Sequence, residues 1–323
     1  MKNKSISISI VLWVLLGLGV IFYMISNFTS MEVNMFKNSS NKFETVLDIS
    51  ADASKTENLK ISIPAGDVSI YHSNDNSIRL VQKGQNIPEN LILDITQHGS
   101  TLEIKAPDTL FRLNFVNHIF KNIVNHVEIY IPKDYSGKLD IYAASGSMDV
   151  HDDFSVSSFY ANLSAGKLTL AGITADTVNI KLSAGSFTGE SKISAKKAEI
   201  SSSAGKLSLE TLEADDFDLY SSAGSINVST LIGSGKVSSS AGKITLENVT
   251  INEKLKVTSS AGSVRIELAK NTDIEYNIKS SAGRVNTFFG NTDSKNMSGT
   301  YGNAPYKKLE ISSSAGSVTI TEA

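Results

Sequence analysis

The sequence predicts an all-β protein: a parallel β-solenoid (β-helix) with coils of about 20 residues, preceded by one transmembrane helix. Three observations predict it. Ser-Ala-Gly recurs at near-even intervals from residue 164 onward. Apolar residues alternate with polar ones on both sides of each copy, the pattern of strands. And "SISISIVLWVLLGLGVIFYMIS", residues 5–26, carries no charge.

The apolar run comes first in the chain. About 20 apolar residues span a hydrocarbon core of ~30 Å. Lys2 and Lys4 lie upstream, so the positive-inside rule leaves residues 1–4 as a cytoplasmic tail and places the bulk outside the cell membrane. A cleaved signal peptide would have a shorter apolar core and a small-residue cleavage pattern, which "MISNFTSMEV" does not offer. Residues 27–42 read as a polar stalk.

Residues 43–135 read as an irregular β region and N-terminal cap. "LKISIPAGDVSIY" has a strand–corner–strand form with Gly66 at the bend, and "NLILDITQHGSTLEIKAP" reads as two strands about a turn. In residues 109–126 the spacing of Phe111, Phe115, Val116, Ile119, Phe120, Ile123 and Val124 suits one face of a helix, expected to act as a lid.

Residues 136–323 carry the regular coils. The motif glycines are Gly146, Gly166, Gly185, Gly205, Gly224, Gly242, Gly262, Gly283 and Gly316, at intervals of 20, 19, 20, 19, 18, 20, 21 and 33. A fixed period near 20 is the signature of a solenoid with one coil per repeat. Before each Gly the apolar or small residues stand at −5, −3 and −1; after it they stand at +2 and usually +4. That change of parity cannot occur in a straight strand, so the chain bends at the Gly, which accepts backbone angles closed to other residues. Ala at −1, from Ala165 to Ala315, and Ser at −3 are expected to line the inside of a narrow corner; Ser at −2 should form an outer ladder. The position after the Gly alternates Ser and Lys or Arg, making Lys167, Lys206, Lys243 and Arg284 a candidate ligand face. Glu190, Glu210, Glu247 and Glu267 stand at +5. The chain given stops at Ala323, so its last strand, "SVTITEA", is expected to form an open edge that residues 286–308 fold over.

The single N-terminal anchor, the lead ending "VEIYIPKDYSGKLDIYAASGSMDV" and the "SSAGSVTI"-type coils resemble the bacterial putative-adhesin β-strand-repeat family, with its LiaG-like membrane-anchored members. The resemblance covers about residues 43–323. It implies a Gram-positive-type surface or envelope protein tied to envelope stress, and it supplies no catalytic residues.

The residues themselves point the same way. There is no Cys, which excludes disulfides, thiolate metal sites and a Cys nucleophile. Net charge is −3, of which Lys2 and Lys4 supply +2, leaving −5 for the remainder; an acidic body argues against general binding to nucleic acid or other polyanions, and the row after the Gly reads either as a mixed-charge solvated face or as a local groove for an anionic polymer. The five His form no recognised ligand pair. "MDVHDDF" gathers Asp149, His151, Asp152 and Asp153, which would suit a cation, an acid–base pair or a polar link between coils. The expectation is a non-catalytic interaction or scaffold protein, not an enzyme and without cofactor, partnered by the membrane through residues 5–26 and by an envelope protein or cell-wall polymer. The alternative is a carbohydrate-active β-helix enzyme, which would need acidic and basic groups converging in one groove.

Overall fold

The computed structural model describes residues 43–107, 123–290 and 295–323; the anchor at 5–26, the stalk and residues 109–122 of the expected helix lie outside them. The described chain is nearly all β. The strands are β1 Glu44–Asp52, β2 Asn58–Ile63, β3 Asp67–Ser73, β4 Ser77–Gln85, β5 Asp94–His98, β6 Thr101–Lys105, β7 Val124–Pro132, β8 Lys138–Ala143, β9 Ser147–Ala204, β10 Leu207–Ala223, β11 Ile226–Ala241, β12 Ile244–Ala261, β13 Val264–Leu268, β14 Ile274–Ala282, β15 Val285–Thr287, β16 Asn296–Tyr301, β17 Lys307–Ala315 and β18 Val318–Glu322. One 3₁₀ turn spans Glu89–Leu91. Residues 124–126 belong to β7, where Val124 pairs with Gln85; the helical spacing at 109–126 therefore fails at its end. In β7 the inward residues are Asn125 and Val127 while Val124 is exposed, so a polar residue at an inward position hid the strand alternation.

Each coil pairs in parallel and in register with the next. Leu207 pairs with Phe187 on one side and Ile226 on the other, and Ile226 pairs in turn with Ile244. Like residues therefore stack in columns. The apolar columns, such as Ile200, Leu219, Val237 and Val257 or Leu207, Ile226, Ile244 and Val264, are almost wholly buried and form one continuous core. Every buried side chain among the described residues lies between Thr56 and Ile320, so a 43–323 fragment holds the whole of that core.

The corner differs from its sequence reading in one respect. Ala165, Ala184, Ala204, Ala223, Ala241, Ala261, Ala282 and Ala315 are exposed. The inside of the corner belongs to the −3 residue: Ser202, Ser221, Ser239, Ser259, Ser280 and Ser313 are all buried. Parity is lost two residues before the Gly, so −2, −1 and +1 all face outward while the chain turns. Two of these hydroxyls bond inside, Ser259 and Ser313 donating to the carbonyls of Gly262 and Gly316 at 3.4 and 3.5 Å, while those of Ser202, Ser221, Ser239 and Ser280 have no hydrogen-bond partner among the described residues.

The glycines themselves form a column of touching backbones. Gly205 has φ +139° and Gly224 φ +145°, beyond the comfortable range of L-side chains. A methyl group on Gly224 would be driven into the carbonyl oxygen of Gly205, and one on Gly205 into that of Gly185. The Gly is thus required twice, by backbone angle and by the neighbouring coil.

Both ends of the stack depart from sequence order. β17 pairs with β12 on one side and β14 on the other; β18 lies between β13 and β15. The coil carrying Gly316 is therefore inserted between those of Gly262 and Gly283. "SVTITEA" is not an open edge, which corrects the sequence expectation. The outermost coil is β14–β15, and the 286–308 segment closes it instead: β16 runs antiparallel along β14, from Ile274 opposite Tyr301 to Lys279 opposite Asn296. Phe289 packs on Tyr276 at 4.6 Å and on Tyr301 at 5.6 Å between ring centroids. Excising Asn296–Tyr301 uncovers the β14 edge and is expected to drive end-to-end association of the 43–323 fragment, read as a mass increase in light scattering; an unchanged monomer mass would refute this.

The opposite end repeats the device. β2 lies between β6 and β8, and β3 between β7 and β9, so the Gly66 coil is interior and β6–β7 lies outside it. β5 covers β6, while β4 and then β1 cover β7, all antiparallel. Here the glycine column ends on Asn125, whose Nδ2 donates to the Ala65 carbonyl at 2.8 Å. Gln82, fully buried, donates to Asn125 Oδ1 and the Leu91 carbonyl at 2.9 Å each and accepts from the Leu93 N–H at 2.9 Å. Gln82→Ala would orphan all three groups in the interior and is expected to cost about 3 kcal/mol, measured as a lowered denaturation midpoint; a loss under ~1 kcal/mol would mean that water replaces the amide.

Candidate binding stripe

The outward side chains of the corner form a long stripe. It covers positions −4 to +3 around the glycines of eight coils, from Gly166 to Gly316. The four candidates from the sequence all lie on it and are exposed: Lys167, Lys206, Lys243 and Arg284. Three further cations share it: Lys181 and Lys279 at −4, and Arg265 at +3, all exposed. Reading only the residue after the Gly missed these three; reading the −4 and +3 columns for charge would have found them.

Coil insertion changes the spacing. Along the chain, Ser and a cation alternate after successive glycines. In space the order from Gly166 is Lys167, Ser186, Lys206, Ser225, Lys243, Ser263, Ser317, Arg284, because the Gly316 coil stacks on that of Gly262. At ~4.8 Å per coil, the three Lys are spaced ~10 Å apart, and Arg284 lies ~14 Å beyond Lys243. The alternation expected throughout thus ends at Lys243.

None of the seven cations has an ion-pair partner among the described residues; Lys181 alone has an aromatic neighbour, its Nζ 5.9 Å from the Tyr160 ring centroid. Some cations elsewhere do pair, among them Lys60 with Glu103, Lys83 with Glu128, Lys196 with Asp176, Lys197 with Glu199 and Lys254 with Glu310, all at 2.6–2.8 Å, while others such as Lys236 and Lys256 do not pair among the described residues. Lys60 holds the Glu103 carboxyl below its ordinary pKa through a direct hydrogen bond.

A shallow groove of about 620 Å³ runs along the first half of the stripe, floored by glycines and banked by Ser147, Lys167, Ser186 and Lys206. It begins at Asp67, whose carboxylate accepts from the N–H and hydroxyl of Ser147 at 3.2 and 2.7 Å. Those hydrogen bonds lower its pKa.

The acidic cluster at 149–153 does not converge. Asp152 accepts from the His72 backbone N–H at 2.7 Å, and His151 stacks on Tyr71, 4.6 Å between ring centroids and 3° from parallel. These groups tie neighbouring coils together. Among the described residues, no three His, Asp or Glu gather closely enough to hold a metal ion.

The sequence model of the Toastrack DUF4097 family matches residues 56–321. No curated protein matches the chain. Among solved structures, a putative adhesin from Parabacteroides distasonis is 12% identical, with 88% of this chain and 98% of that one covered and a TM-score of 0.44. A putative adhesin from Bacteroides fragilis is 13% identical, covering 87% and 98%, with a TM-score of 0.40. A putative lipid binding protein from Parabacteroides distasonis is 14% identical, covering 84% and 96%, with a TM-score of 0.37.

Proposed function

The chain belongs to the Toastrack DUF4097 family, and on that premise we propose that it is a non-catalytic interaction or scaffold protein of the cell envelope, serving adhesion or the envelope-stress response. Residues 5–26 hold it in the cell membrane with residues 1–4 cytoplasmic and the stack outside. One observation carries the reading: its outward side chains repeat coil after coil, giving long uniform columns and a carboxylate-free basic stripe over eight coils. A surface of that kind suits an extended partner. The alternative, a polysaccharide-cleaving enzyme, would need a pair of carboxylates flanking one bond, and the groove has one, Asp67, at its end and tied to Ser147.

The test has two parts. The intact protein should stay with membranes after carbonate washing, with its C-terminal region open to protease added outside. The 43–323 fragment should co-sediment with isolated envelopes without releasing reducing sugar ends from them. A freely soluble product, or release of reducing ends, would overturn the reading.

A further inference from the structure

Deepening that reading of an envelope interaction protein, we infer that the basic stripe binds a linear polyanion, an unbranched polymer carrying phosphate or carboxylate groups along its backbone.

The argument begins with a missing residue type. The outward positions −4, −2, −1, +1 and +3 of the eight coils comprise 40 residues and include no Asp or Glu. At the chain's average of 33 in 323, about four would stand there. Carboxylates return at once on either flank: Glu190, Glu210, Glu247 and Glu267 at +5, and Glu199, Asp218 and Glu310 at −6. A face needing only to be solvated would mix both signs, as those flanks do. Here the opposite charge is absent from the stripe itself and left to a ligand.

The cations act in series. Spacings of ~10 Å slightly exceed the Debye length of ~8 Å at physiological salt, so each cation meets its own anionic group there, and their fields overlap only at lower ionic strength. Five of the seven are Lys, compact charges on flexible stems that follow a chain of anions without demanding one fixed geometry. Between them stands the −2 Ser column from Ser164 to Ser314, mostly exposed, which supplies hydroxyl donors to anionic oxygens.

Side-chain type selects a polymer chain over a membrane surface. The groove is shallow and wide open, floored by glycine, and reaches only Lys167 and Lys206 of the seven cations. An interfacial membrane face would carry large apolar side chains to insert. Of the exposed large apolar residues, Phe43, Val46, Val124, Phe288 and Tyr306 stand elsewhere and only Tyr220 lies on the stripe. A single aromatic also gives no platform for successive stacked bases, which sets the stripe apart from single-strand nucleic-acid sites.

Binding of the 43–323 fragment is measured for long-chain polyphosphate, unbranched poly-glutamate and phosphatidylglycerol vesicles, across a salt series. Binding to at least one of the polymers is expected, and which one it is decides between phosphate and carboxylate. The double variant K206Q/K243Q should weaken the preferred polymer about tenfold or more and flatten its salt dependence by between one and two units of log–log slope. The variant K196Q/K254Q makes the same charge change on paired cations off the stripe and should stay within about twofold. Vesicle binding alone, no binding at all, or equal losses in the two variants would overturn the inference. Unchanged envelope sedimentation of K206Q/K243Q would overturn it while leaving the envelope role standing.

Discussion

Gly224→Ala is expected to leave little folded protein. The methyl group would enter the carbonyl of Gly205, and the next nearest atoms are backbone too, at 2.7 and 3.1 Å. No rotamer change can relieve that contact. Either the two coils separate, losing the Leu207–Ile226 ladder and its neighbours, or the corner changes its angles and flips a strand face. Adding the cost of φ +145° for a side-chain residue, the loss should exceed about 5 kcal/mol, comparable to the whole stability of many domains. Ser222→Ala, two residues earlier, loses only an outward hydroxyl and should stay within about 0.5 kcal/mol. Thermal melts of the two variants provide the check, and a Gly224→Ala midpoint within a few degrees of the parent would refute the touching-backbone column.

Amide exchange at the end nearest Gly316 should run against sequence order. β17 and β18, although closest to Ala323, have a coil on each side. Residues 309–320 are expected to exchange as slowly as β12. Among the described residues, β15 pairs only with β18, apart from one bridge between Thr287 and Gly290, and β16 only with β14. Residues 285–287 and 296–301 should exchange by local opening, orders of magnitude faster. The reverse ranking would mean that Gly283 stacks directly on Gly262 and the chain ends at an edge.

The corners were legible because their signal is local and repeated. A parity change at a Gly, seen in nine copies, has few other physical explanations. Ala at −1 misled because its small size fits two places, the tight inside of a bend or its exposed apex. The buried −3 Ser decides between them: it is the small side chain that the bend turns inward, leaving Ala on the apex. The coil order at the ends was not legible, since a repeat alignment records succession along the chain whereas order in the stack is set by which edges hydrogen-bond. There was a trace of it all the same: the intervals of 80 residues from Gly66 to Gly146 and 33 from Gly283 to Gly316 mark where the chain leaves the stack and returns. Of the stripe, the charges after each Gly were readable. Its width was not, because −4 and +3 are brought beside +1 only by the bend.

Tucking the first and last coils inside also governs how such a protein can change length. A segment appended after Glu322 would start beneath the Gly283 coil, not at a free end, and one placed before Asn58 would have to pass the strands that cover β6 and β7. New coils can enter only by duplication in the middle, between Gly146 and Gly262, where each coil is bounded by two like itself. Duplicating a single coil there would set two cations or two serines side by side after adjacent glycines, whereas duplicating a pair would preserve the spacing of ~10 Å between charges.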